Sequence, residues 1–523
     1  MGFKNEDTFQ KYIDNGNEWV FHKKYEQAVS SAKSEFGNTY PLLIGGKSVT
    51  TNKSIRHVSP IDRQLVLGYI QQGSQREISR ASRAAGLAFD TWGITDYKSR
   101  IKVMRKIVDI MRKQKFELAA WLSFENGKNR YEAIADVDEA IDFINYYIEE
   151  MIFNRGFVSP SKASAGNEKN TSVMKPYGVW AIIAPFNFPA AILVGMTIGA
   201  LITGNTVIIK PASDTPIVGY KVARILIDAG LPTGVVNFVT GPGQEIGRLL
   251  VENKDIVGIV FTGSREVGYE LVRASSEVKP RPVIAELGGK NAAIITQSAD
   301  IDKAVEGVVK AAFSYSAQKC SACSRVYVQK NIKPQFISKL IKKTKELVIG
   351  NPINADTNVG PLINNNSLKK FERYSKLAAR DGQILIGGSL KRDGSLKHGF
   401  YAQPTIVNKL PKNHVLFKDE LFVPILCVSE YDKFAEALSL CNATEYGLTA
   451  GIYSKRKKEI EKFLKEIEAG VVYVNRKAGA TTGAMVGRQS FGGWKDSGTT
   501  GKGTGGRYYL TQFMREQSQT IVR

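Results

Sequence analysis

The chain has 523 residues, 43% of them hydrophobic and 23% charged, the balance of an ordinary globular protein large enough for two or three domains. Four cysteines and four histidines in that length supply neither a disulfide framework nor a His-rich metal site, which suits a reducing cytoplasm. The 72 basic residues exceed the 50 acidic ones by a formal charge of +22, but they are scattered through helical stretches without an aromatic-interleaved motif or basic tail, so a cationic surface is expected rather than a nucleic-acid partner.

The amino end, Met1-Gly2-Phe3-Lys4-Asn5-Glu6, has no apolar signal core, and Glu6 stands where a myristoylation signal wants Ser or Thr, so neither export nor a lipid anchor is expected. Residues 1–40 are polar with a helical pattern, and a short strand follows at 41–44. Helices are predicted over 76–92, 97–126 and 132–151. Residues 179–202 carry no charge and are long enough to suggest a membrane span, yet Pro185, Asn187 and Pro189 interrupt them. They read as a buried strand (179–184), a turn, and a helix packed on a sheet, so no membrane is expected. Strands at 206–210, 235–240, 256–261 and 283–287, with a helix at 216–229, continue the alternation. The fold class is therefore α/β: a doubly wound, mostly parallel sheet with crossover helices. A second alternating unit runs from 291 to about 491. The polar piece 157–171 interrupts the first unit, and the tail 508–523 ends in a strand-like run.

Two local sequences carry chemistry. Glu286 opens Glu286-Leu287-Gly288-Gly289-Lys290, an acid at the exit of an apolar strand that breaks on two glycines. Cys320 lies in Gln318-Lys319-Cys320-Ser321-Ala322-Cys323-Ser324-Arg325, between a helical stretch and a strand, where an accessible thiol is expected. A sulfur nucleophile needs thiolate character, and a carboxylate that activates water suits a covalent intermediate awaiting hydrolysis. Cys320 and Cys323 also form a Cys-x-x-Cys, but no second pair or nearby His completes a zinc site, and a thioredoxin-like motif belongs at the start of a small domain. No metal is expected, and Cys323, Cys427 and Cys441 are expected to be packing residues.

These segments, together with Ala184-Pro185-Phe186-Asn187-Phe188-Pro189, Lys210-Pro211, Phe261-Thr262-Gly263-Ser264, Glu420-Leu421-Phe422-Val423-Pro424 and Tyr446-Gly447-Leu448, resemble the aldehyde dehydrogenase superfamily over roughly residues 40–520. The resemblance implies a Rossmann-like cofactor domain (1–155 and 173–290), an α/β catalytic domain (291–492) and a small β oligomerisation hairpin with the tail (156–172 and 493–523), paired between subunits in a homo-oligomer. It implies Cys320 as nucleophile, Glu286 as general base, and an oxyanion held by the Cys320 N–H and the Asn187 amide, although Asn187 alone could be a turn residue between prolines. It assigns Ser264 to a dinucleotide pyrophosphate, Lys210 to the adenosine ribose and Glu420 to the nicotinamide ribose, with Pro185, Phe186, Gly243, Gly263 and Phe422 completing the NAD site. The glycines by themselves are a weak signal, because a plain turn explains Gly241-Pro242-Gly243 or Gly263-Ser264 equally well. Ser213 stands where many NAD-specific members carry Glu, and a hydroxyl does not repel a 2′-phosphate, which leaves NADP open.

Within the superfamily, the Cys320 segment, Asn475-Arg476-Lys477, Thr482-Gly483-Ala484 and Phe491-Gly492-Gly493 are similar to the 1-pyrroline-5-carboxylate, or glutamate semialdehyde, dehydrogenases. That likeness implies a substrate α-carboxylate gripped by Ser321 and the N–H groups of Gly483 and Ala484, with Phe188 and Phe491 flanking its aliphatic part. Two departures stand out: Ala317 replaces a usual Gly, and 477–482 is a few residues longer. Other carboxylated semialdehydes, succinate or 2-oxoglutarate semialdehyde, are the nearest alternative substrates. A non-catalytic structural or RNA-binding relative is the contrasting class.

Overall fold

A computed structural model describes residues 3–164 and 166–523; the Met1-Gly2 start of the amino-terminal reading lies outside them. Helix Gln75–Trp92 starts where Ser74 and Glu77 form a reciprocal capping box, and Tyr97–Lys113 starts where Asp96 accepts the Lys98 and Ser99 N–H groups. Both satisfy donors that a helix start leaves unpaired. The single helix expected over 97–126 is two, Tyr97–Lys113 and Lys115–Asn126, broken at Gln114. The first buries one stripe, whereas residues 118–126 are all buried, so the chain must turn to enter the core. Helix Arg130–Phe153 follows Gly127, whose φ of +77° ends the preceding helix.

The first sheet runs Val283–Glu286, Ile256–Thr262, Val179–Ile183, Thr206–Lys210, Val236–Phe238, Leu42–Ile44, Lys47–Val49, with the first five parallel. Strands Val179–Ile183 and Thr206–Lys210 are buried along their whole length, as befits parallel strands covered on both faces. The uncharged segment resolves into that first strand and helix Ala191–Ile202. No described helix is long and apolar enough to cross a membrane. A second sheet runs Gln383–Ile386, Thr405–Asn408, Ile425–Tyr431, Cys323–Gln329, Asn291–Ile295, Thr449–Tyr453, Val471–Val474, parallel except for its first pair. Residues 287–290 therefore link the edge strand of one sheet to an inner strand of the other.

A third sheet is antiparallel. Strand Glu168–Pro176 pairs with Val158–Ser161 on one side and with the tail strand Met514–Val522 on the other, from Met514 opposite Pro176 to Val522 opposite Glu168. The hairpin and tail thus pair with each other within the chain. Strand Val158–Ser161 remains an exposed edge.

Candidate active site

The two glycines of the Glu286 motif bring three distant segments together. Glu286 ends its strand, and a Cβ on Gly288 would lie 2.3 Å from the Glu420 carboxylate, while one on Gly289 would lie 2.4 Å from the Cys320 carbonyl oxygen. Only hydrogen at these positions permits both approaches. The Gly289 N–H donates to Glu420 Oε1 at 2.8 Å. Asn291 Nδ2, two residues on, donates to the carbonyls of Cys320 (2.7 Å) and Ala322 (3.0 Å), and its oxygen accepts the Thr449 N–H at 3.0 Å.

Before Cys320, the chain makes a turn at Tyr315, Ser316 and Ala317, with φ of +49°, +52° and +59°. That is why a glycine suits position 317; alanine there costs about 1–2 kcal/mol, offset by the bonds around it. Ser316 donates to the Gly360 carbonyl (2.7 Å), Gln318 Nε2 to the Tyr315 and Pro361 carbonyls (both 3.3 Å), and Gln318 accepts the Ile363 N–H (2.8 Å).

Burial dominates the electrostatics of the site. Cys320 is only half-exposed, and burial pushes its thiol well above the ordinary range, with the Glu420 and Glu286 charges acting the same way. A shift in this direction favours the neutral thiol over the thiolate. Burial also raises the Glu286 carboxyl, against a backbone N–H from Gly493, and Glu286 Oε2 is buried without a partner. Glu420 is pushed up to about 7 by burial, against the Gly289 N–H and the Lys370 and Lys290 charges. The buried Asn187 (3% exposed) lends its side-chain amide to no other group among the described residues. Its donor is unspent.

The model of the family described as Aldehyde dehydrogenase family matches residues 47–519. The chain belongs to the aldehyde dehydrogenase family. It is 38% identical over 505 residues to 1-pyrroline-5-carboxylate dehydrogenase 1 of Halalkalibacterium halodurans, covering 95% of this chain and 96% of that one. The solved 1-pyrroline-5-carboxylate dehydrogenase from Thermus with bound NAD superposes with a TM-score of 0.94 at 37% identity, over 100% of this chain and 99% of that one. Betaine aldehyde dehydrogenase from Staphylococcus aureus, in complex with NAD+, matches at a TM-score of 0.89 and 26% identity, over 95% and 97% of the two chains. This aldehyde dehydrogenase therefore has the doubly wound fold expected of it.

The residues expected to meet a dinucleotide lie at or beyond strand ends of the first sheet or near Glu420. Lys210 ends its strand, is 4% exposed and bonds only the Pro211 carbonyl at 2.8 Å; burial lowers its ammonium to about 8, against Asp214. A buried ammonium with unspent donors fits a hydroxyl-bearing ligand such as a ribose. Exposed Ser213 makes one long bond, 3.4 Å, to the Gly241 carbonyl. Gly243 begins helix Gly243–Glu252 with open space around it, whereas Gly263 is required by the Phe261 ring, 2.4 Å from its would-be Cβ. Ser264 caps helix Arg265–Val278. Phe186, preceded by half-buried Pro185, meets Phe422 edge-on at 5.8 Å. Together these groups fit a nicotinamide dinucleotide.

Of the groups expected to meet substrate, the Ser321 hydroxyl and the N–H groups of Gly483 and Ala484 make no hydrogen bond among the described residues. Arg476 donates to the Gly483 carbonyl, and because the next N–H points the other way across the same peptide plane, the Ala484 donor is turned from Arg476. Phe188 and Phe491 are both half-buried and do not stack on each other. In the segment 477–482, Ala480, Thr481 and Thr482 are buried, whereas Lys477 and Ala478 are exposed. Several residues here had no sequence signal. Lys128, fully buried in an ion pair with Asp136 at 2.7 Å, stands 3.6 Å over the Phe188 ring, a cation–π contact that fixes it. Lys319 pairs with Glu132 at 2.8 Å. Glu132 Oε2 is buried without a partner.

Proposed function

We propose that this aldehyde dehydrogenase oxidises L-glutamate γ-semialdehyde, the open form of 1-pyrroline-5-carboxylate, to L-glutamate, a step in proline and arginine breakdown. The observation that supports the reading is a set of unspent donors, the Ser321 hydroxyl beside Cys320 in the chain and the Gly483 and Ala484 N–H groups of a segment that Thr481 ties to the Ser321 carbonyl, in a chain 38% identical to a 1-pyrroline-5-carboxylate dehydrogenase. An α-carboxylate is the group such donors suit.

Cys320 passes its thiol proton to water, its sulfur attacks the aldehyde carbon as the carbonyl double bond opens, and the Cys320 N–H with the Asn187 amide holds the oxyanion. Lys210, Ser264 and Glu420 would hold NAD, which when bound would supply the hydride acceptor that makes the reaction an oxidation. Glu286 then takes a proton from the water that attacks the thioester, releasing the acid and restoring the Cys320 thiol. Residues 1–155 and 173–290 form the cofactor domain and 291–492 the catalytic domain; 156–172 and 493–523 serve oligomerisation of a cytoplasmic enzyme.

The test is a spectrophotometric assay of purified protein with NAD, comparing glutamate semialdehyde, succinate semialdehyde and propanal. A clear preference in kcat/KM for glutamate semialdehyde is expected. Equal efficiency on propanal, or a preference for succinate semialdehyde, removes the substrate assignment.

A further inference from the structure

Three successive carbonyls follow the nucleophile, and side chains from two directions hold them. Asn291 takes those of Cys320 and Ala322. The Ser321 carbonyl between them accepts the Thr481 hydroxyl at 2.7 Å. We propose that Thr481 is a positioning residue for substrate recognition: it ties the Ser321 half of the carboxylate anchor to the Gly483-Ala484 half. The inference rests on the reading that these groups grip an α-carboxylate.

Thr481 is fully buried, and its β-branched side chain has little rotamer freedom, so the hydroxyl's position follows the backbone that carries it. That backbone is itself pinned. The Ala480 N–H donates to the Gly307 carbonyl at 2.9 Å, and the Ala480 carbonyl lies 2.1 Å from where a Cβ on Gly451 would stand. Gly479 turns beneath Thr482, whose Oγ1 would be 2.4 Å from a Cβ there. Two residues beyond Thr481, the Gly483 carbonyl is taken by Arg476. One short segment therefore presents the two free N–H groups and also grips the peptide that carries the free hydroxyl. Without the Thr481 bond, the Ser321 carbonyl is left unsatisfied and the spacing between the anchor's halves is unrestrained. A substrate that bridges both halves feels this. An aldehyde without a carboxylate needs only Cys320, which Asn291 holds independently.

The experiment compares wild type, Thr481→Val and Thr481→Ser on glutamate semialdehyde and propanal, with free glutamate as a competitive inhibitor. For Thr481→Val, KM for glutamate semialdehyde and the inhibition constant for glutamate should both rise by roughly five- to tenfold relative to any change with propanal, the size of one lost hydrogen bond. Thr481→Ser, which keeps the hydroxyl, should restore both. Unchanged KM and inhibition in Thr481→Val, or equal losses on both aldehydes, overturn the proposal; Thr481→Ala carries the same comparison if the valine variant does not fold. Wild type that favours glutamate semialdehyde beside an undisturbed Thr481→Val leaves the substrate reading standing and removes this inference alone. Wild type without that preference removes both.

Discussion

Gly289 and Cys320 touch: a single carbon added to Gly289 would stand 2.4 Å from the Cys320 carbonyl oxygen and 2.9 Å from the Asn291 side chain that holds it. The motif carrying the proposed general base is thus also the seat of the proposed nucleophile. Gly289→Ala should cost about 1–3 kcal/mol through overpacking and, because the displaced groups set the thiol, lower kcat by roughly tenfold or more. Thermal melting and kcat for glutamate semialdehyde together check this. An alanine variant with wild-type kcat would mean the loop tolerates the displacement.

Cys320→Ala should abolish aldehyde oxidation while the protein still binds NAD, measured by calorimetry. Glu286→Gln should release about one equivalent of NADH per site and then stall, because hydride transfer precedes the hydrolysis that Glu286 serves. Steady turnover by the alanine variant removes the thioester route, and a glutamine variant with no burst moves Glu286 to an earlier step.

Burial raises both the Cys320 thiol and the Glu286 carboxyl above their ordinary ranges. An acid so shifted is neutral below its raised pKa and charged only above it, so the nucleophile and the base both gain as pH rises. Alkylation of Cys320 by iodoacetamide, and kcat/KM, should therefore climb from neutral into alkaline solution. A profile that is flat across neutrality would mean that a group in the working complex lowers the thiol again.

Ser213, exposed and only loosely bonded to the Gly241 carbonyl, places no negative charge near Lys210. Ser213→Glu should spare NAD activity and suppress NADP activity, since opposing a 2′-phosphate with a carboxylate costs on the order of several kcal/mol. Steady-state kinetics with both cofactors decide it; an unchanged NADP to NAD ratio means Ser213 does not face the adenosine ribose.

Ser321→Ala removes one donor to a charged group, worth roughly 1.5–3 kcal/mol. Efficiency on glutamate semialdehyde should fall by about one to two orders of magnitude, and propanal should be affected far less. Equal losses on the two aldehydes would show the hydroxyl acting on the nucleophile instead.

The sequence alone determined the alternating α/β order, the strand that ends at Glu286 and the family to which Cys320 and Asn187 point. These features are local: an apolar run that breaks on two glycines, or a thiol between a helix and a strand, is written in adjacent residues. Tertiary structure decided the rest. The split of the helix at Gln114 depends on what its second half packs against, and the pairing of the 168–176 strand with the tail depends on a register between distant segments. Asn291 and Thr481 act on carbonyls far away in the chain, bonds that leave no spacing to read. The upward push on the Cys320 thiol is likewise a property of its surroundings: burial and two neighbouring carboxylates, brought together only by the fold, raise it above its ordinary range.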